Sequence, residues 1–224
     1  MNIIRCSRIR QKRKLLFQTV DVYPVTCERL SNGRSDLEVL GSLIEGGARI
    51  VQLREKDLSE RDFFRLAERF RERTAKAGML LVINDRVDVA IAVEADGVHL
   101  GREDLPLAKA RKIAPNLLIG ASSHNLEEAL QAQDEGADYV NIGPIFPTQT
   151  KAGVQRFLGP QAIAEIAPRL SIPFTVMGGI KEANIEQVLR MGARKVAVVT
   201  AITQAPDIAQ AVRSLRKIIR NLGS

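Results

Sequence analysis

Short runs of β-branched and apolar residues alternate with longer helical patterns along almost the whole chain. Eight such runs are predicted to be β-strands, at residues 19–26, 48–53, 79–84, 97–100, 118–122, 139–142, 174–177 and 196–199. Strands that alternate with helices form parallel sheets, because a parallel connection needs a crossover helix. Eight strand–helix units within 224 residues therefore predict an α/β protein with a single (β/α)8 TIM barrel, and they disfavour an open doubly wound sheet.

The predicted helices begin at residues that suit helix N-termini. Ser35, Ser59, Asn125 and Asn184 each precede a helical pattern. Their side-chain oxygens can accept from the first free backbone N–H groups, so each is a predicted N-cap. A last helix is predicted from about residue 206, where apolar residues recur at helical spacing.

The first eighteen residues hold most of the net charge. They contain six basic residues and no acid, and so contribute six of the net seven positive charges. We predict a short basic N-terminal extension, a disordered tail at residues 1–18, followed by the barrel domain at residues 19–224. A solvated leader, a contact with RNA or a membrane surface, and an organellar transit peptide are the alternatives. Because the excess charge lies outside the fold, no nucleic-acid partner is expected.

The sequence offers no signal for secretion or for membrane insertion. The apolar run at residues 15–17 is too short for a secretory signal, and no run approaches the roughly 20 apolar residues of a membrane span. Cys6 and Cys27 have no metal-ligand residues near them in the sequence, which favours free thiols in a reducing compartment. We expect a cytoplasmic enzyme with small-molecule substrates and no membrane partner; a homo-oligomer is left open.

Two cations and an amide follow the second predicted strand. In a β/α barrel the functional site lies where the strands end, so polar residues there carry most weight. Alternation places Gln52, Arg54 and Lys56 on one side of the chain. Arginine offers a two-pronged fork and lysine a compact charge, which together suit a diphosphate. The other interpretation is a set of salt bridges with Glu55 and Asp57.

Carboxylates follow the third and fourth predicted strands. Asp85 comes directly after Asn84, and Asp104 lies in the next βα loop. Oxygen ligands without His or Cys are typical of a hard cation such as Mg²⁺, which takes one or two protein carboxylates. Either Asp alone could instead be a helix N-cap. His99, within the fourth strand, is expected to pack or hydrogen-bond structurally, with a catalytic role as the alternative.

The loop after the sixth strand is the longest. It spans residues 143–153 and contains Thr148, Thr150 and Lys151, two hydroxyls and an ammonium that can bind phosphate. The alternative is a plain surface excursion.

The seventh and eighth strands lead into Gly178-Gly179 and Val199-Thr200. Loops after strands 7 and 8 commonly build a phosphate site in these barrels, and glycine lets backbone N–H groups approach the anion. Two phosphate sites around one cation imply two phosphorylated substrates, or one substrate phosphorylated at both ends. Cys27 and Ser122 show no His–Asp pairing that would make a nucleophile. The sequence therefore favours departure of a diphosphate assisted by charge.

At these positions the chain closely resembles the thiamine-phosphate synthase family. The resemblance covers residues 20–222, and its motifs are specific as an ordered set. They are QLREK at 52–56, INDR at 83–86, DGVHLGREDLP at 96–106, GASSH at 120–124, GADYVNIGPIFPTQTK at 136–151, GGI at 178–180 and VVTAI at 198–202.

The resemblance implies a Mg²⁺-dependent transferase. It would condense 4-amino-5-hydroxymethyl-2-methylpyrimidine diphosphate with 4-methyl-5-(2-phosphoethyl)thiazole, or its carboxylated form, to give thiamine phosphate and diphosphate. The implied mechanism is dissociative, through a pyrimidine methylene cation that the thiazole nitrogen captures.

The resemblance also assigns residues to each part of the site. Those expected at the pyrimidine diphosphate are Gln52, Arg54, Lys56, Asn84, Ser122 and Lys151, of which Lys56, Ser122 and Lys151 are the expected catalytic contacts. The expected Mg²⁺ ligands are Asp85 and Asp104. Those expected at the thiazole phosphate are Thr148, Thr150, Gly179, Val199 and Thr200.

Three positions depart from the expected family pattern, and three rivals remain. Cys27 stands where Asp is expected, Thr200 replaces Ser, and Met177 occupies a place where a small residue is common. The rivals are a thiazole tautomerase-like paralogue, another phosphate-binding barrel enzyme, and a non-catalytic regulator that binds thiamine phosphates. A tautomerase needs no Mg²⁺ or diphosphate apparatus, so Asp85 and Asp104 argue against it.

Overall fold

The structure, a computed structural model, describes residues 3–148, 150 and 156–222, with side chains from residue 7 onward. One parallel sheet runs through the described chain. Its strands are β1 (Val22–Pro24), β2 (Ile50–Leu53), β3 (Leu80–Asn84), β4 (Gly97–Leu100), β5 (Leu118–Ser123), β6 (Tyr139–Ile142), β7 (Phe174–Val176) and β8 (Val196–Val198). The helices are α1 (Ile3–Gln18), α2 (Asp36–Glu45), α3 (Glu60–Ala77), α4 (Val87–Ala92), α5 (Leu107–Ile113), α6 (Leu126–Asp134), α7 (Gln161–Ile166), α8 (Ile185–Arg190), α9 (Thr200–Thr203) and α10 (Ile208–Leu222).

The sheet closes on itself. Its order is β1-β8-β7-β6-β5-β4-β3-β2, with all neighbours parallel. Beyond the end of β1, Val25 forms a parallel bridge to Gln52, and the Thr26 N–H donates to the Gln52 carbonyl over 2.9 Å. These contacts join the first strand to the second and complete a (β/α)8 barrel. The predicted fold class and all eight predicted strands are confirmed.

Three of the four predicted N-caps are confirmed. Ser35 forms a capping box with Glu38, in which each residue satisfies a backbone N–H of the other. Ser59 and Asn125 accept from the third residue of α3 and α6, respectively. These bonds explain why the helices begin where the sequence pattern says they do.

Asn184 was predicted to cap the helix that follows it, and this prediction is wrong. Its side chain makes no cap bond to α8. Instead its Oδ1 accepts from the Lys181 N–H over 2.7 Å, and its Nδ2 donates to the Gly179 carbonyl over 3.0 Å. The amide is used by the preceding turn, which is a competing local use of Asn side chains. It therefore braces the glycine turn after β7.

The prediction of a disordered tail at residues 1–18 is also wrong for residues 3–18, which form helix α1. Arg10 Nε donates to Asp138 Oδ1 over 2.9 Å, and Arg13 Nε lies 3.2 Å from Asp96 Oδ1. The side chain of Asp138 is only 1% exposed, so its charge needs cationic partners. These basic residues therefore form ion pairs with carboxylates that lie more than 80 positions further along the chain.

Phe17, near the end of α1, plugs the barrel at the N-terminal ends of its strands. It is buried, and its ring stacks on Tyr139 with centroids 4.4 Å apart. It belongs to an interior cluster that includes Tyr23, Ile50 and Leu118. With that end filled, polar groups can reach solvent at the opposite end, where the strands terminate. Within the described residues, no helix has the length and apolarity needed to span a bilayer.

Candidate active site

Most residues predicted to bind ligands lie at the C-terminal ends of the strands. Gln52 is buried within β2, while Arg54 and Lys56 occupy the loop that follows. Asn84 is the last residue of β3, and Ser122 lies at the end of β5. The barrel thus brings together side chains that are distant in sequence.

Lys56, Asp85 and Asp104 form a charged cluster at this end. Lys56 Nζ lies 2.8 Å from Asp85 Oδ2, and Asp104 Oδ2 accepts from the Gly101 N–H over 2.6 Å. Burial raises the pKa of Asp104, and the neighbouring carboxyl of Asp85 raises it further. Two carboxylates so placed favour a cation or a proton between them.

The backbone turns Asp85 towards this cluster. Asp85 has a φ of 63°, in the left-handed region that costs energy for a residue with a Cβ. Its N–H donates to the His99 carbonyl over 2.9 Å, which holds the turn in place. Helix α4 begins two residues later without a side-chain cap, and α5 has Pro106 at its N-cap position. The N-cap interpretation of Asp85 and Asp104 is therefore wrong.

The donor set is compatible with Mg²⁺. Among the described residues, no group of three or more His, Cys, Asp or Glu side chains is arranged to hold a metal ion. A pair of carboxylates is the number that Mg²⁺ commonly takes from a protein, with water and phosphate oxygens completing its shell. Asp85 and Asp104 therefore fit this ion better than they fit zinc, which prefers four nitrogen or sulfur ligands.

Among the described residues, Glu55 and Asp57 form no salt bridge with Arg54 or Lys56. Glu55 accepts from the Glu28 N–H over 2.7 Å, and Asp57 lies 4.0 Å from Arg29. Within the part of the chain that the structure describes, no ion pair of Arg54 is found. The interpretation of Arg54 and Lys56 as salt-bridge partners of Glu55 and Asp57 is therefore wrong, and Lys56 pairs with Asp85 instead.

The sequence did not predict a buried carboxyl beside the loop that follows β2. Asp36 is fully buried, and neither of its oxygens receives a hydrogen bond from a described donor. Burial, followed by the adjacent Glu55, raises the pKa of Asp36 to about 8. The pKa of Glu55 is raised as well, chiefly by burial. Asp36 therefore holds a proton near neutral pH. No sequence pattern predicted this, because an acid in the first turn of a helix is ordinarily exposed and charged.

His99 joins Ser122 to the barrel interior. His99 Nε2 lies 3.1 Å from Ser122 Oγ, and Nδ1 lies 3.2 Å from the Tyr139 hydroxyl. Burial lowers the pKa of His99 to about 4, so the ring is neutral at physiological pH. The expected structural hydrogen bonding of His99 is confirmed. Ser122 therefore has a histidine partner that the sequence did not indicate, and a tyrosine lies where a triad would have Asp.

The loop after β6 packs on the glycine turn after β7. The Ile145 N–H donates to the Met177 carbonyl over 2.9 Å, and the Phe146 N–H donates to the Gly178 carbonyl over 3.0 Å. Gly179 has a φ of 62°, and a Cβ there would overlap the Pro147 carbonyl. A side chain at this position is therefore excluded by both conformation and space.

The two threonines of this loop lie together. Thr148 Oγ1 donates to Thr150 Oγ1 over 3.1 Å, and the Thr150 N–H points to Thr148 Oγ1 over 3.3 Å. This pairing sets two hydroxyls and a backbone amide side by side, as a phosphate site would need. Lys151 lies outside the described residues.

Val199 and Thr200 form the junction between β8 and α9. Val199 packs against Cys27, and Met177 packs against the same pair. Burial raises the pKa of the Cys27 thiol, with a further contribution from the Glu55 charge. Cys27 is therefore a buried packing residue whose thiol is less acidic than an exposed one. Thr200 is half-buried at the first position of α9, two residues after the end of β8.

The fold and the polar residues at its strand ends define a class, the (β/α)8 barrel proteins, whose functional site lies at the C-terminal ends of the strands. A family model described as "Thiamine monophosphate synthase" matches residues 22–202. The thiamine-phosphate synthase of Chloroflexus aurantiacus is 47% identical over 198 residues, which cover 88% of this chain and 92% of that one. That of Pyrococcus abyssi is 42% identical over 205 residues, covering 92% and 97%.

A solved structure agrees with these matches. The thiamine phosphate pyrophosphorylase of Pyrococcus furiosus superposes with a TM-score of 0.85 at 38% identity, covering 95% of this chain and all of that one. The chain belongs to the thiamine-phosphate synthase family.

Proposed function

We propose that the chain is a Mg²⁺-dependent thiamine-phosphate synthase that joins 4-amino-5-hydroxymethyl-2-methylpyrimidine diphosphate to the thiazole phosphate. The product is thiamine phosphate, and diphosphate leaves. One observation supports this most strongly: Lys56 lies within 2.8 Å of Asp85, beside Asp104. A lysine next to a carboxylate pair suits a metal-bound diphosphate, because both the ion and the ammonium can contact the same anion.

The diphosphate subsite is proposed at the ends of β2 and β3. Arg54 and Lys56 supply positive charge from one loop, and Asn84 supplies an amide from the next. Lys151 is proposed to add a second ammonium from the loop after β6. Asp85 and Asp104 would hold Mg²⁺, which would draw negative charge from the departing diphosphate. These groups favour charge that develops as the leaving group separates, which is how electrostatic preorganisation lowers a barrier.

The pyrimidine is proposed to lie between Gln52 and Ser122. Gln52 is buried in the barrel wall, and Ser122 is half-buried on the neighbouring side of the mouth. These two residues would orient the ring so that its methylene carbon faces the thiazole nitrogen. The condensation would proceed by loss of diphosphate to a pyrimidine methylene cation, followed by capture by that nitrogen, with positioning as a main contribution.

The thiazole phosphate is proposed to bind across the loops after β6, β7 and β8. Thr148 and Thr150 offer paired hydroxyls, and Val199 and Thr200 would contribute amides at the start of α9. Gly179, which has no side chain, lets the turn after β7 pack closely against the loop after β6. The carboxylated thiazole is an alternative substrate of the same subsite. We further propose a cytoplasmic location, since the buried Cys27 thiol is free.

Binding of inorganic diphosphate separates this proposal from its rivals. Calorimetry should show diphosphate binding only when Mg²⁺ is present, and Lys56→Gln should weaken it about tenfold or more. Lys109→Gln, at an exposed position on α5, serves as the matched control and should leave binding unchanged. A tautomerase-like protein or a regulator of thiamine phosphates would bind the thiazole phosphate and show no Mg²⁺-dependent diphosphate binding. That pattern would contradict the proposal.

A further inference from the structure

Five polar side chains form one hydrogen-bonded chain across the barrel interior. Gln52 Nε2 donates to the Tyr23 hydroxyl over 3.0 Å, and the Tyr23 and Tyr139 hydroxyls lie 2.8 Å apart. The Tyr139 hydroxyl lies 3.2 Å from His99 Nδ1, and His99 Nε2 lies 3.1 Å from Ser122 Oγ. This hydrogen-bonded series therefore connects Gln52, on one side of the proposed pyrimidine subsite, to Ser122 on the other side through two buried tyrosines.

Proton counting fixes the direction of the first two bonds. The Tyr23 oxygen accepts from the Gln52 amide, and a hydroxyl has one proton to donate. In the described part of the chain, the only other partner of the Tyr23 hydroxyl is Tyr139, so Tyr23 donates to it. A buried hydroxyl without an acceptor is costly, which makes this direction strongly favoured.

The same counting continues to Ser122. Because the Tyr139 oxygen accepts from Tyr23, its own proton goes to His99 Nδ1. A neutral imidazole that accepts at Nδ1 carries its proton on Nε2, so Nε2–H donates to Ser122 Oγ. An imidazolium would not fit, because it would reverse the bond to Tyr139 and leave the Tyr23 proton without an acceptor.

We propose that His99 is a positioning residue, held as the Nε2–H tautomer by Tyr139, which turns the Ser122 hydroxyl proton into the active site. Ser122 thereby acts as a hydrogen-bond donor to the substrate, and it is not an activated nucleophile, because His99 cannot accept a proton at a nitrogen that already bears one. The identity of the group that accepts from Ser122, a diphosphate or pyrimidine atom, rests on the proposed function. The tautomer of His99 rests on the barrel geometry alone.

Gly120 supports the arrangement independently. It lies on β5 beside both rings, and its register partners are His99 and Tyr139. A Cβ at this position would overlap the Tyr139 ring and would lie 2.6 Å from His99 Nδ1. Any residue other than glycine would therefore separate the Tyr139 hydroxyl from the His99 ring. The absence of a side chain here is what allows the bond that fixes the tautomer.

The direction of these hydrogen bonds also couples the orientation of the Gln52 amide to that of the Ser122 hydroxyl. If the Gln52 amide were reversed, its oxygen would accept from Tyr23 and every bond would reverse in turn. His99 would then carry its proton on Nδ1, and the Ser122 hydroxyl would donate its hydrogen bond to His99 Nε2. The two directions thus predict opposite tautomers for one histidine, which makes the proposal decidable by a single measurement.

The test is the ¹⁵N NMR spectrum of histidine-labelled protein at about neutral pH, since the two ring nitrogens report which one bears the proton. The chain has two histidines, so the His124→Gln variant assigns the remaining signals to His99. We expect the neutral Nε2–H tautomer. The Nδ1–H tautomer or an imidazolium would overturn the proposal. The tautomer is read without turnover, so a failed condensation assay would count against the proposed function and leave this result standing.

Two tyrosine variants give a graded test. Tyr139→Phe removes the donor to Nδ1, so the spectrum should show loss of the single tautomer. Its kcat should fall about tenfold with little change in KM for the thiazole phosphate, as expected for one misoriented hydrogen bond. Tyr23→Phe is the matched control, because it leaves Tyr139 free to donate to His99 and should preserve the tautomer. An unchanged tautomer and kcat in Tyr139→Phe would contradict the positioning role.

Discussion

Lys56 Nζ donates to Asp85 Oδ2 over 2.8 Å, which joins the βα loops that follow two adjacent strands. The lysine belongs to the proposed diphosphate subsite, and the carboxylate belongs to the proposed Mg²⁺ pair. Their contact fixes the relative position of the two subsites. A diphosphate bound by Lys56 would consequently lie within reach of an ion held by Asp85.

Removal of the Asp85 charge should reduce turnover strongly. The suitable change is Asp85→Asn, since asparagine tolerates the left-handed backbone found here. We expect turnover to fall on the order of 100-fold, because preorganised charge at the leaving group is lost. The measurement is steady-state kinetics at saturating Mg²⁺, with thermal unfolding to confirm that the fold persists.

The matched control for this variant is Asp134→Asn, at an exposed position at the end of α6 and remote from the strand ends. It should retain normal turnover. If Asp85→Asn kept near-normal turnover as well, the assignment of Asp85 to Mg²⁺ would have to be withdrawn.

Gly179→Ala should weaken binding of the thiazole phosphate. A Cβ at Gly179 would collide with the Pro147 carbonyl and lie 2.9 Å from Phe146 Cβ, which would push the two loops apart. We expect KM for the thiazole phosphate to rise about tenfold or more, since a displaced loop loses a charge-assisted contact. Gly78→Ala is the control, with a similar φ of 64° and no atom within 4 Å of the added carbon. Equal KM values in the two variants would contradict the role of Gly179.

The Asp36–Glu55 pair should make stability depend on pH. The pKa of Asp36 is raised from 3.8 to about 8, so the folded chain holds this proton more tightly than the unfolded chain does. Stability should therefore be highest below about pH 4 as far as this group is concerned, and it should decline as pH rises towards 8. Asp36→Asn should flatten that decline and raise the urea midpoint at about pH 8.

The exposed Glu127 of α6 offers the control for this experiment, as Glu127→Gln should leave the pH dependence of unfolding as it is in the wild type. An identical pH dependence in wild type and Asp36→Asn would show that Asp36 is not the group responsible.

Phe17→Ala should destabilise the whole barrel. Phe17 is 2% exposed and stacks on Tyr139 inside the barrel. Its truncation should cost about 3–5 kcal/mol of unfolding free energy, as for other buried aromatic residues. Leu15→Ala, on the same helix but 54% exposed, should cost little. Urea denaturation measures both, and similar small losses would mean that α1 does not close the barrel in solution.

The fold was predictable because local signals agree with one another along the chain. The bounds predicted for β4 and β6 match the structure, and Ser35, Ser59 and Asn125 begin their helices as expected. The first strand is shorter than predicted because Thr19 and Val20 turn back to the end of α1 through hydrogen bonds to Leu16 and Phe17.

The missed features depend on residues that are far apart in sequence. Helix α1 is held against the barrel by ion pairs with Asp96 and Asp138. No pattern within the first eighteen residues can predict these partners. The bond of His99 to Tyr139 spans 40 positions and needs three neighbouring strands in register. Residues at strand ends were predicted because the barrel fixes where the strands end, whereas their pairing is set by tertiary packing.

The proposed activity is formation of thiamine phosphate with the help of Mg²⁺, which Asp85 and Asp104 would hold. The direct measurement is formation of thiamine phosphate, together with diphosphate release, from the two purified substrates with Mg²⁺ and with excess chelator. Equal amounts of both products, seen only with Mg²⁺, are the predicted result. No product under either condition, while the thiazole phosphate still binds, would contradict the claim.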